Sequence, residues 1–400
     1  MAELAGPRAG VRLPARVRLL IAARGVNQLG AFSLAFLTVL LSRGLGASLP
    51  VAGAISALFG LATIPSRLLG GRLADRWGRR RTILAGLVGC ALAQLGIAAA
   101  PDLAVAASCS VLLGLAFELY EPPSQAMIAD GVAPADRADA YALLTTALAV
   151  GNMGAGLVAD LVGRSNLRWL FVLDAASCLA CALAIRLVLP ADEPAARRPA
   201  PDVRERSPWR DGSLLAMTGE GTVFALIYML MLVSLPLSLG AEGLDPANAG
   251  LIMTASTVSL LLARPALRIT RLAALPTGPA FAAGYSLMAL GLAGYAVAHT
   301  LPALLGPTAL YAAGNLLLMG RALAVVSALA PEGAAARYLA VYGLRWGFAT
   351  VLAPPLGTWM IGGFGPGTLW AAMAAACLAM AAAQPLLLRR LAARAGLSAC

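Results

Sequence analysis

Stretches of about twenty apolar residues recur along almost the whole chain, interrupted by short segments in which arginine, proline and glycine concentrate. A helix of that length crosses the hydrocarbon core of a bilayer and pairs every backbone N–H and C=O internally, which an open strand or an irregular segment cannot do there. The pattern predicts an all-α integral membrane protein with many passes. Composition agrees: of 400 residues, 60% are hydrophobic and only 12% charged, a balance foreign to water-soluble globules. The formal net charge of +11 would suggest a nucleic-acid partner in a soluble protein. In this chain the arginines sit between the apolar runs, where they set orientation, so the expected partner is the lipid bilayer and no nucleic acid.

The runs lie near 19–41, 49–70, 82–100, 103–129, 138–163 and 168–189, and again near 213–239, 247–267, 276–298, 301–329, 334–361 and 367–388. Between the two sets, Pro190 to Gly212 is rich in proline and in both signs of charge, and it lacks the apolar surface to fold alone. Twelve spans are therefore expected in two six-helix halves, 1–189 and 213–400, joined by a linker over 190–212. Arginines cluster at the N-terminus, at 70–81, in the linker, at Arg268 and Arg271, and at Arg389, Arg390 and Arg394. The positive-inside rule puts all of these, and both termini, in the cytoplasm of a cell-membrane protein.

Of six cysteines, all but Cys400 lie within apolar runs and read as small hydrophobes. Cys178 and Cys181 form a CxxC without a neighbouring His or Cys, so neither a disulfide framework nor a metal site is expected. The single histidine, His299, falls in a loop on the opposite side from the basic clusters.

The segment GGRLADRWGRRR, Gly70 to Arg81, holds five arginines, three glycines and Asp75 between two apolar runs, and reads as a tight surface loop. An internal repeat is also visible. APADRADAY from Ala133 and APEGAAARY from Ala330 align Ala, Pro and Tyr at one constant spacing, which also carries Glu118 onto Asn315 and Asp75 onto Leu272.

Gly71, Leu73, Asp75, Arg76, Gly78, Arg79 and Arg80 fill the pattern G-x-L-x-D-R-x-G-R-R, and through it the chain resembles the major facilitator superfamily over its whole length. Tyr120 to Tyr141 and Leu352 to Met360 are similar to its twelve-helix drug–proton antiporters. Departures are present: Ser110 stands where many antiporters carry an arginine, and the helix-five signature keeps Gly151, Gly154 and Gly156 without its Gly-Pro pair. The resemblance implies two pseudo-symmetric six-helix bundles that rock about a central site. It also implies a conformational latch of Gly71, Asp75, Arg76, Gly78, Arg79 and Asp130, in which Asp75 meets the N-terminus of the eleventh helix and Arg79 pairs with Asp130. The alternative is that these arginines only mark topology.

A carboxylate at membrane depth is costly unless it is protonated, paired or facing water, which makes Glu118 a candidate proton carrier, with Glu121 as an alternative. Glu118 could equally be a structural partner of Arg24 or Arg321. Helices one, four, seven and ten line the cavity in the resembling family, which implies Asn27, Gln28, Tyr228, Asn315 and Arg321 as cavity residues. Asp174 and Glu220 read as structural. Gly151, Ala155 and Ala159 form a small-residue ridge for close helix packing.

These readings converge on a monomeric secondary transporter without cofactor, driven by the proton gradient. Proton-coupled efflux of small organic or drug-like molecules by alternating access is the expectation; the alternative is a proton-coupled importer or facilitator of the same fold. No GxxxxGK[ST] motif is present. One histidine and no intramembrane aspartate pair argue against the remote alternative, a membrane-embedded transferase.

Overall fold

A computed structural model describes residues 13–30, 33–132, 137–189, 208–269, 275–330 and 335–395. Hydrocarbon forces backbone groups to pair within each segment, and helices account for nearly all of these residues. In order they are α1 (Ala15–Gln28), α2 (Ser33–Val39), α3 (Leu49–Trp77), α4 (Arg79–Ala99), α5 (Leu103–Phe117), α6 (Glu121–Asp130), α7 (Arg137–Gly163) and α8 (Arg168–Val188). There follow α9 (Gly212–Ala241), α10 (Ala249–Ile269), α11 (Thr277–Val297), α12 (Leu301–Leu329), α13 (Ala335–Phe364) and α14 (Pro366–Ala395).

The expected twelve uninterrupted spans are corrected to fourteen α-helices among the described residues, ten stretches of which are long and apolar enough to cross a membrane. Two breaks explain much of the difference. The first predicted span divides into α1 and α2, and neither piece, at 14 and 7 residues, is long enough to cross by itself. The fourth divides into α5 and α6 around Glu118, Leu119 and Tyr120. In the second half α13, which carries Arg345, Pro354 and Pro355 internally, also falls outside the ten.

The chain divides into two compact units, Met1–Pro201 with Ala249–Leu251, and Asp202–Asn248 with Ile252–Cys400. In the first, α4 packs on α5 and α8, α3 on α5, and α1 on α7 and α8. Phe36, Phe59, Ile83 and Phe171 fill its interior. In the second, α11 packs on α12 and α14, and α9 on α13, around Phe281, Tyr285, Tyr295, Tyr342 and Trp370. Leu161, Leu187 and Val297 are each more than 70% exposed. Such residues on apolar helices face hydrocarbon, where no hydrophobic penalty applies.

The segment Gly70 to Arg81 is not the twelve-residue loop expected. The α3 helix runs through to Trp77, and the chain reverses at Gly78 alone before α4 begins at Arg79. Gly78 has φ +95° and ψ 156°, a region essentially restricted to glycine. Its carbonyl accepts from the Thr82 N–H and from Thr82 Oγ1, at 3.2 and 2.8 Å. Gly78→Ala is expected to cost about 1–3 kcal/mol. Gly71, inside α3, has open space where a Cβ would stand, so Gly71→Ala is expected to be neutral or stabilising. Thermal unfolding in detergent compares the two, and equal melting temperatures would contradict a glycine-dependent turn at Gly78.

Candidate functional site

The break between α5 and α6 is where the first unit gathers its charge. Pro122 and Pro123 open α6, where their missing N–H groups leave no intrahelical bond unmade. Two glycines let neighbouring helices close on the break. A Cβ at Gly70 of α3 would lie 2.8 Å from the Leu119 carbonyl oxygen, and one at Gly86 of α4 would lie 3.2 Å from the Tyr120 nitrogen. The Glu118 N–H donates to Ser66 Oγ of α3 at 3.1 Å. The unwound residues are thus sheltered by protein, the condition under which non-helical backbone is tolerated at membrane depth.

Arg24, Arg67, Glu118 and Glu121 meet at this break, drawn from α1, α3, the break itself and α6. Arg24 is 5% exposed, donates to Glu121, and lies over the Tyr120 ring at 4.7 Å from its centroid. Gln125 Nε2 donates to the other Glu121 oxygen at 2.9 Å, so both oxygens of that carboxylate have partners. Glu118 differs. Its nearest cation is Arg67 Nε at 3.7 Å, an ion-pair distance too long for a hydrogen bond, and its Oε2 is buried without a hydrogen-bond partner. Glu118 can therefore gain or lose a proton without breaking a hydrogen bond at that atom.

The sequence offers Arg24 or Arg321 as a structural partner for Glu118; Arg24 instead pairs with Glu121, and Arg67 is the group beside Glu118. Sequence reasoning passed over Arg67. The available signal was an ionisable residue two positions after Pro65 at the end of an apolar run.

The remaining candidates are dispersed. Asn27 is buried and donates to Cys178 Sγ at 3.2 Å, while Gln28 donates to Asn152 Oδ1 at 2.7 Å. Both are engaged within their own unit. Gly151 lies where α7 meets α1, an added Cβ being 2.6 Å from the Gly25 carbonyl oxygen; Ala155 and Ala159 are buried further along α7. Asp75 and Arg76 lie exposed at the end of α3, and Arg79 is half-buried at the start of α4. Arg80 donates to the Arg186 carbonyl in the last turn of α8, a cation at a helix C-terminus. The Asp130 and Arg268 side chains, Arg271 and most of the 190–212 linker lie outside what the structure describes.

In the second unit Tyr228 is half-buried edge-on to Trp346 at 5.3 Å, and Asn315 is buried with its Oδ1 unbonded. Arg321 is half-buried on α12. Glu220 on α9 and Arg345 on α13 are buried and border one recess too narrow for a water molecule. Arg345 was passed over in the sequence because the flanking apolar run concealed a single charge.

A model of the Major Facilitator Superfamily matches residues 20–237, more than half the chain. The chain belongs to the Major Facilitator Superfamily. This superfamily member is 27% identical over 364 residues to an uncharacterized MFS-type transporter, YhjO, of Bacillus subtilis (strain 168), covering 87% of each protein. Solved structures share its fold. A peptide transporter POT in complex with sulfate superposes with a TM-score of 0.77 at 15% identity, over 97% of each chain. A POT family transporter in complex with a thioalcohol-conjugated peptide does so with a TM-score of 0.80 at 13% identity, over 97% of this chain and 99% of that one.

The MFS chain is thus a multi-pass membrane transporter. Among its described residues no group of three or more His, Cys, Asp or Glu side chains could hold a metal. The expectation of drug efflux, and the drug–proton antiporter resemblance behind it, are overturned by these matches. Both solved structures are of POT transporters, and at 13–15% identity they share the fold of this chain.

Proposed function

We propose that this protein is a proton-coupled secondary transporter of the cell membrane that takes up a small, peptide-like organic molecule by alternating access. The observation that carries the reading is Glu118, a carboxylate at a helix break whose buried Oε2 has no hydrogen bond and whose cation stands at 3.7 Å. Broken helices and intramembrane carboxylates are where transporters bind ions and substrate. Glu118 carries the proton in this reading, and Glu121 is the partner of Arg24. Both termini are cytoplasmic. Asp75 and Arg76, beside the Gly78 reversal, are suited to the latch that changes partners between conformations.

Symport and antiport differ in sign whatever way the protein inserts, which makes purified protein in liposomes decisive. With dialanine as the probe, an outside-acid gradient is expected to drive accumulation above equilibrium. Accumulation only under an inside-acid gradient would sink the uptake reading.

A further inference from the structure

The lipid-facing surface of the first unit changes character at one end. Helices α4 and α8 pack side by side in opposite directions. Arg168 Nη1 ties one end by donating to the Ala98 carbonyl at 2.9 Å, and Arg80 ties the other by donating to the Arg186 carbonyl. Along α4 the exposed residues follow the three-and-four spacing of one helix face: Arg81, Ala85, Val88, Leu92 and Leu95. On α8, Leu179, Leu183 and Arg186 do the same. Both stripes are apolar until the turn on which each ends in an arginine. Neither helix exposes a carboxylate, since Asp174, the one acid on the pair, is buried. Arg186 forms no ion pair within 4 Å among the described residues. Depth decides what this end meets. At the rise of an α-helix, Arg81 and Leu92 are about 16 Å apart, close to half of a hydrocarbon core about 30 Å thick. The apolar strip is therefore one leaflet deep, and the two guanidinium groups lie at the headgroup level of that leaflet.

We infer that this α4–α8 face binds an anionic phospholipid, with its phosphate between Arg81 and Arg186 and its acyl chains along Val88, Leu92, Leu179 and Leu183. A guanidinium offers its donors as a fork that matches phosphate oxygens, and basic sites between membrane helices suit anionic headgroups. Arg80 positions the site, because its bond to the Arg186 carbonyl holds the end of α8 against the start of α4. The apolar strip commits the site to a lipid. Two exposed arginines in water hold a small free anion weakly under salt screening, whereas a chain lying on the strip keeps the phosphate beside them. The lipid bridges two helices that meet at this end through one side-chain bond to a carbonyl, and its binding is independent of the substrate and of the direction of transport.

Lipid binding to the full chain in detergent, counted by native mass spectrometry, tests the site. Phosphatidylglycerol is expected to bind at least about tenfold more tightly than phosphatidylcholine of the same chains, whose choline cancels the phosphate charge. Combining Arg81→Gln with Arg186→Gln is expected to reduce that preference to about twofold or less. The Arg80 bond survives in this variant, since it uses the Arg186 backbone. Combining Arg72→Gln with Arg210→Gln removes the same charge from two other exposed positions, on α3 and just before α9, and is expected to keep the preference. Glycerol phosphate, a headgroup without chains, is expected not to compete. Equal binding of the two lipids by the unmodified protein overturns the assignment without any variant. So does an equal loss of preference in both double variants, which would assign the effect to net charge, or competition by glycerol phosphate, which would assign the arginines to a free anion.

Discussion

Glu118→Gln is expected to abolish proton-driven accumulation while leaving substrate exchange. Glutamine keeps the shape of the protonated acid but cannot release a proton, so the variant behaves as a transporter fixed in its loaded protonation state. One pH unit across the membrane supplies about 1.4 kcal/mol per proton, enough for about tenfold accumulation when one proton moves with each substrate. In the variant that ratio is expected to fall to about one. Exchange of labelled for unlabelled dialanine at equal pH, which needs no net proton movement, is expected to continue and to lose its pH dependence. The two assays together separate coupling from folding, because a misfolded variant loses both. A variant that still accumulates dialanine to the unmodified ratio would remove Glu118 from coupling. Glu121 would not be a ready substitute, since Arg24 and Gln125 occupy both of its oxygens.

Much of this fold was legible because hydropathy and punctuation coincide. The runs expected over 138–163, 168–189 and 276–298 differ by a residue at most from Arg137–Gly163, Arg168–Val188 and Thr277–Val297. Arginine or proline marks each of their starts. The breaks at Leu29 and Gly30 and at Glu118 to Tyr120 were not legible, since they lie inside apolar runs and depend on which helices close against them. At the second break the closing surfaces are Gly70 and Gly86, residues that an apolar average scarcely registers. The Gly70 to Arg81 segment misled for the opposite reason. Its charges suggested a loop, yet arginines continue a helix well, and only Gly78 must leave it. Charge pairing was the least legible part. Glu118 and Glu121 are three residues apart, yet the helix break between them sends one to Arg67 and the other to Arg24. No periodicity in the chain records that choice.

The Arg24–Glu121 pair carries the largest stability effect expected in the first unit, and its asymmetry is the test. Removing one member of a buried ion pair typically costs about 3–5 kcal/mol, because the other charge is left without compensation. The two partners are not equally exposed: the side chain of Arg24 is 6% accessible and that of Glu121 is 25%. Glu121→Gln strands a guanidinium that water scarcely reaches, with the Tyr120 ring opposite it, an interaction worth about 0.5–2 kcal/mol. Arg24→Met strands a carboxylate that retains Gln125 and some solvent. Glu121→Gln is therefore expected to be the more damaging single change, near the upper end of that range, and Arg24→Met the milder. Combining them removes both charges together, so the double variant is expected to be more stable than Glu121→Gln alone. Denaturant unfolding in detergent measures all four proteins. Strict additivity of the two single effects would show that the guanidinium and carboxylate do not interact energetically.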